Sequence, residues 1–86
     1  MLKFEHIVKD PLGIHARPAG QIAKLAKGYA DSAITIEKAG NVAKVSQLMK
    51  LMSLGVKNGD TVIVAVDGGN EEAAFAAMKE FFDANL

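Results

Sequence analysis

The chain has 86 residues, ten basic and ten acidic side chains, half of its residues hydrophobic, two histidines and no cysteine. That length makes one domain, residues 1–86, whose core suffices for folding but not for enclosing a deep cleft, so any site is expected on the surface. Balanced charge without a basic run argues against a nucleic-acid groove, the lack of cysteine excludes disulfides and thiolate metal sites, and two histidines support no histidine-based metal centre.

Leu2, Phe4, His6 and Val8 alternate with Lys3, Glu5, Ile7 and Lys9, which predicts a strand with one buried face. His6 falls on the apolar parity and is read as a packed histidine with a satisfied hydrogen bond. The same opening stretch lacks the apolar run of a secretory signal, and nothing approaches the roughly 20 apolar residues of a membrane span, so a cytoplasmic protein is expected. Asp10-Pro11-Leu12-Gly13 is a turn.

That turn delivers the chain to Gly13-Ile14-His15-Ala16-Arg17-Pro18, the stretch with the most chemistry in it. A helix is expected from Ala16, because Ala19, Ile22, Ala23, Ala26 and Tyr29 follow the i, i+3, i+4, i+7 rule, and Gly28 stands where a glycine C′ residue is expected. His15 then lies at the helix start, where unpaired N–H groups and the positive end of the macrodipole favour an anion. A neutral imidazole with a free lone pair beside such a cradle is a nucleophile. Arg17 adds a planar, permanently charged fork suited to phosphate oxygens. Pro18 removes only an N–H that the first turn leaves unpaired anyway. The implied chemistry is phosphoryl transfer through a phosphohistidine. On the pattern alone a polar helix cap is the commoner explanation, since short motifs match by chance. Further along the same helix, Gly20, Lys24 and Lys27 continue from Arg17 as an exposed row. Such a row serves solubility or the docking of an acidic partner.

Ile34 and Ile36 alternate with Thr35 and Glu37 as a second strand. Lys38-Ala39-Gly40-Asn41 is a hairpin turn with Gly40 available for positive φ, and Val42 to Val45 is a short third strand. Leu48, Met49, Leu51 and Met52, closed by Ser53-Leu54-Gly55, form a helix of about two turns. Leu48, Leu51 and Met52 are expected in the core, and Met49 is left over as an adaptable exposed contact. After the Lys57–Asp60 turn, Thr61 to Val66 reads as an inner strand. Asn70 is a good N-cap, with Glu71 and Glu72 in the first turn of a last helix that buries Ala74, Phe75, Met78, Phe81 and Phe82. The order βαββαβα predicts an α+β open-faced β-sandwich: a four-stranded, mostly antiparallel sheet covered on one face by three helices.

The whole pattern resembles the HPr family, the histidine-containing phosphocarriers of the bacterial phosphoenolpyruvate-dependent sugar phosphotransferase system. The resemblance is carried by length, by element order, by Gly13-Ile14-His15-Ala16-Arg17-Pro18, by Lys24 with Ala26-Lys27-Gly28, and by Met52-Ser53-Leu54-Gly55. It implies that Nδ1 of His15 accepts a phosphoryl group from phosphorylated enzyme I and passes it to IIA domains of sugar permeases. It implies that Arg17 steadies the phosphate, with the backbone N–H groups of Ala16 and Arg17 nearby. It also implies docking through Ala16, Gly20, Lys24 and Lys27 of the first helix and Leu48, Met49, Lys50 and Met52 of the second. The protein is then a monomeric cosubstrate rather than a free-standing enzyme, without cofactor or metal.

Many family members carry a regulatory serine at the start of the second helix, phosphorylated by a dedicated serine kinase. Counting forward from His15 puts Ser46 at that place. Counting back from Leu54-Gly55 puts Gln47 there, with one extra residue near Ala30 to Ala33. The second alignment keeps the apolar rhythm of the helix, so Ser46 is read as an N-cap rather than a regulatory site. Three other readings remain: a phosphocarrier of the nitrogen-related branch; a regulatory module on the same fold that never carries phosphate, disfavoured by His15 with Arg17; and an RNA-binding α+β domain, disfavoured by the lack of exposed strand aromatics.

Overall fold

A computed structural model describes residues 1–86. Strands β1 (Leu2–Ile7), β2 (Ala33–Lys38), β3 (Asn41–Lys44) and β4 (Thr61–Asp67) alternate with helices α1 (Ala16–Lys27), α2 (Leu48–Ser53) and α3 (Glu71–Asn85) in the order βαββαβα. The sheet order is β1-β4-β2-β3, and every neighbouring pair is antiparallel. Both central strands bury alternate residues on one side, Val62, Val64 and Val66 in β4 and Ile34 and Ile36 in β2. The register sets Val64 between Phe4 and Ile36, so the period-2 pattern of three separate segments converges on one apolar layer. Helix α3 lies on β1 and β4, and α1 packs against α2 and α3. No helix is long and apolar enough to cross a membrane.

The β2–β3 connection is a two-residue loop, since Lys38 pairs with Asn41. Ala39 and Gly40 both have positive φ, 50° and 85°, the signature of the primed turn that matches strand twist. Gly40 takes this conformation freely. Ala39 takes it with its Cβ against the backbone, at a cost in strain.

Several expectations need correction. Gly28 is the C-cap of α1 but stays right-handed, with φ −71°; the helix closes instead with tight bonds from Gly28 N–H to Leu25 O (3.1 Å) and Tyr29 N–H to Ala26 O (3.0 Å). Asn70 occupies the N-cap of α3 without a side-chain capping bond. Glu71 anchors that end instead, accepting the Gly68 N–H at 2.9 Å, and this bond holds its carboxyl below the usual range, with help from the nearby N-terminal ammonium. On α3 only Ala74, Met78 and Phe82 are fully buried. Phe75 and Phe81 flank that stripe half-buried, because a helix on a sheet buries one narrow line of side chains and wets its shoulders. His6 is buried edge-on against Phe82, with ring centroids 5.4 Å apart. Its Nε2 has no hydrogen-bond partner, and its Nδ1 lies 3.6 Å from Asp83 Oδ1, so the expected satisfied hydrogen bond is not made.

Candidate functional site

The segment between β1 and α1 is held from three directions. Asp10 donates its N–H to the Leu86 carbonyl at 3.2 Å, and Lys9 N–H shares that acceptor. The Asp10 carboxylate accepts the Leu12 N–H at 2.8 Å, and its carbonyl accepts the Gly13 N–H at 3.0 Å, a compact side-chain-stabilised turn. Gly13, with φ +69°, then lies directly against the Val56 carbonyl, where a Cβ would come within 2.1 Å of the oxygen. Ile14 donates its N–H to that same carbonyl at 3.1 Å and is itself buried. These contacts leave the next residue little freedom in direction.

That residue is His15, the N-cap of α1, in extended conformation at φ −106° and ψ −172°. Its carbonyl accepts the first helical bond, from Ala19 N–H at 3.0 Å. Its side chain does not cap the helix, so the imidazole is free to face outward and stays about one-third exposed, at 36%. The polar-cap explanation of this histidine therefore does not describe it. The Ala16 and Arg17 N–H groups have no acceptor in the protein, Pro18 has none to offer, and no acidic residue occupies the first turn. Arg17 is exposed, and no carboxylate lies within ion-pairing distance of its guanidinium. Two free amides, a positive helix end and a partly exposed imidazole thus stand together at the start of α1, with an unpaired arginine in its first turn. The arrangement suits a dianionic phosphoryl group on open surface.

On α1, Ala16, Lys24 and Lys27 are exposed and Gly20 is half-buried. A Cβ at Gly20 would meet nothing within 4 Å, so no contact inside this chain demands a glycine there. On α2 only Leu51 is fully buried and Met52 is half-buried. Leu48, expected in the core, is 39% exposed, and Met49 is 80% exposed. Six residues give a helix one inward line, and Leu51 fills it. Lys50 is exposed as well, and like Lys24 and Lys27 it has no acidic partner. Ser46 is exposed but is not the N-cap: Gln47 holds that place, its carbonyl accepting Leu51 N–H at 2.9 Å. No cluster of three His, Cys, Asp or Glu side chains is placed to hold a metal ion.

Two residues at the site were not singled out by the sequence. Asp10, read only as a turn former, brings Oδ1 to 3.9 Å from His15 Nε2. Leu12, three residues before His15, is 70% exposed and so presents an apolar side chain to solvent in the loop that leads to the imidazole. The Asp-Pro turn signal concealed the first, and nothing in the local pattern marked the second.

The model of the phosphotransferase-system HPr component phosphorylation site matches residues 2–84. This chain belongs to the HPr family. It is 36% identical over 85 residues to the phosphocarrier protein HPr of Mycoplasma genitalium, covering 99% of this chain and 97% of that one. It is 39% identical over 71 residues to the HPr of Lysinibacillus sphaericus, covering 83% and 80%. Among solved structures, HPr-C-His from Thermoanaerobacter tengcongensis superposes with a TM-score of 0.90 at 31% identity, over 98% of this chain and 93% of that one. HPr proteins are phosphocarriers of the phosphotransferase system, and membership of the family implies partnership with the enzymes of that system. The open-faced fold is likewise the HPr fold.

Proposed function

We propose that His15 is the residue of this HPr chain that carries the phosphoryl group, on Nδ1, taking it from phosphorylated enzyme I and passing it to IIA domains of sugar permeases. The observation that supports this best is the partly exposed His15 side chain at a helix start whose leading amides are unbonded. Arg17 lies two residues on and is likewise without a partner.

The imidazole lone pair attacks phosphorus as the donor nitrogen leaves with the bonding pair. Arg17 and the Ala16 and Arg17 N–H groups neutralise charge on the three equatorial oxygens while phosphorus is only loosely bonded to donor and acceptor. A carrier must take and give the group with little free-energy change in either direction. A few amides and one mobile guanidinium stabilise the charge without trapping it, and an open site lets the partner supply the remaining groups. The chain is then a cosubstrate of the phosphotransferases rather than an enzyme by itself.

Docking is assigned to Ala16, Gly20, Lys24 and Lys27 on α1 and to Leu48, Met49, Lys50 and Met52 on α2. Unpaired lysines around exposed methionine and leucine suit an acidic partner surface with an apolar centre. Ser46 is exposed, but the N-cap at Gln47 favours the alignment in which no serine stands at the regulatory position, and we assign no kinase to it. A monomer in the cytoplasm fits a shuttle between several partners.

The test is relay. With labelled phosphoenolpyruvate, enzyme I and a IIA domain, label should reach IIA only when the chain is present. Equal labelling of IIA without it would contradict the reading.

A further inference from the structure

We infer that Asp10 is a positioning residue for His15: its carboxylate holds the Nε2 side of the ring and stabilises the charge that the ring acquires when Nδ1 is phosphorylated. The inference rests on His15 being the phosphoryl acceptor and goes beyond it in assigning a partner to the other ring nitrogen.

Three contacts fix where the carboxylate stands. Asp10 N–H is bound to the Leu86 carbonyl, the Asp10 carbonyl takes Gly13 N–H, and Oδ1 takes Leu12 N–H. The same Oδ1 lies 3.9 Å from His15 Nε2. This is an ion-pair separation rather than a hydrogen bond, and such contacts commonly tighten only in the reactive complex. Other charged residues in and beside this loop are Lys9, Arg17 and Lys57; Asp10 is the only carboxylate within 4 Å of a ring nitrogen of His15.

The chemistry follows from the balance of the step. Neutral imidazole carries one proton, and a proton on Nε2 leaves the Nδ1 lone pair for attack. The N–P bond forms at Nδ1, the donor's P–N bond breaks, and its electron pair leaves with the donor. The ring now bears phosphorus on Nδ1 and hydrogen on Nε2, and is cationic. A carboxylate facing Nε2 favours this state, as the aspartate of a catalytic triad favours its imidazolium. It thereby keeps the phosphoryl group on a good leaving group, ready for onward transfer.

Asp10→Asn tests this without dismantling the loop, because the amide oxygen still accepts Leu12 N–H. The phosphorylated wild type and variant are compared by 31P NMR for hydrolysis against pH, and by relay rate at neutral pH. A unit charge near 4 Å in water-like surroundings shifts such a profile by about 0.7 pH unit and a rate by about fivefold. The variant's profile should move to lower pH by about that amount, with slower relay. Superposable profiles and equal rates would overturn the inference while leaving His15 as the acceptor. A wild type that takes no phosphoryl group on His15 would overturn both. A second measurement needs no variant: the Asp10 carboxyl 13C resonance must move when His15 is phosphorylated, and a stationary resonance also overturns the inference.

Discussion

Gly13 lies against Val56 so closely that a Cβ on it would sit 2.1 Å from the Val56 carbonyl oxygen. The glycine is therefore required twice, once by its φ of +69° and once by this approach. The consequence is functional, because the same carbonyl accepts Ile14 N–H and so sets the direction in which His15 leaves the turn. Gly13→Ala should lower stability by about 3 kcal/mol and impair phosphoryl acceptance further than the remaining folded fraction explains. Urea unfolding, with phosphorylation measured in native conditions, checks both.

The hairpin turn offers the opposite experiment. Ala39 adopts φ 50° beside Gly40, where asparagine is better tolerated, and Asn-Gly is the favoured pair for a primed turn. Ala39→Asn should raise stability by about 0.5–1 kcal/mol and leave relay unchanged. Thermal unfolding of the two proteins gives the answer; a lower melting temperature would show that the strain is absent.

His6 provides a test inside the core. Its Nε2 is buried without a partner, and burying a polar atom unsatisfied costs about 1–3 kcal/mol. His6→Phe, nearly matched in shape, should stabilise the protein by about 1 kcal/mol. A less stable variant would mean that this nitrogen finds a partner in solution.

Lys38 ties the end of β2 to two other segments, donating to the Gly55 carbonyl at 2.7 Å and pairing with Asp60 Oδ2 at 2.8 Å. The Lys38 bond, followed by the bond from Lys57 N–H, holds the Asp60 carboxyl below its ordinary value of 3.8. A carboxyl lowered in the folded state stabilises fully above the unfolded value, and that contribution is lost as pH falls through the folded one. Acidification from neutrality should therefore leave this contribution intact down to about pH 4 and remove it below. Asp60→Asn should lower the melting temperature near neutral pH and flatten its fall in acid. Parallel curves for wild type and variant would contradict the assignment.

On the proposed docking face, Lys24→Glu and Met49→Glu should each slow phosphoryl transfer from enzyme I about tenfold. Both side chains are exposed, so stability should change by no more than about 0.5 kcal/mol. A variant that transfers normally would remove its residue from the interface.

What the sequence made legible was whatever depends on short range. Alternation in Ile34–Glu37 and in the first strand, the helical stripe after Ala16, and the hairpin at Ala39-Gly40 each carry their own period or turn chemistry. The position of His15 at a helix start could be read for the same reason. What escaped depends on partners distant in the chain. Nothing near Gly13 points to Val56, nothing near Asp10 points to Leu86, and the contact between Asp10 and His15 exists only because those bonds fold the turn back. Leu48 was misassigned because periodicity gives the apolar face of a helix but not how much of a six-residue helix its neighbours cover. Asn70 does stand at the N-cap of α3, but whether its side chain closes the capping bond depends on its own backbone and rotamer geometry, which residue type does not specify.

The central claim is that His15 is the carrier, and intact-mass spectrometry tests it most directly. After incubation with phosphoenolpyruvate and enzyme I, the wild type should gain a single acid-labile phosphoryl group mapping to His15, and His15→Ala should gain none. A His15→Ala protein phosphorylated as fully as the wild type would contradict the account.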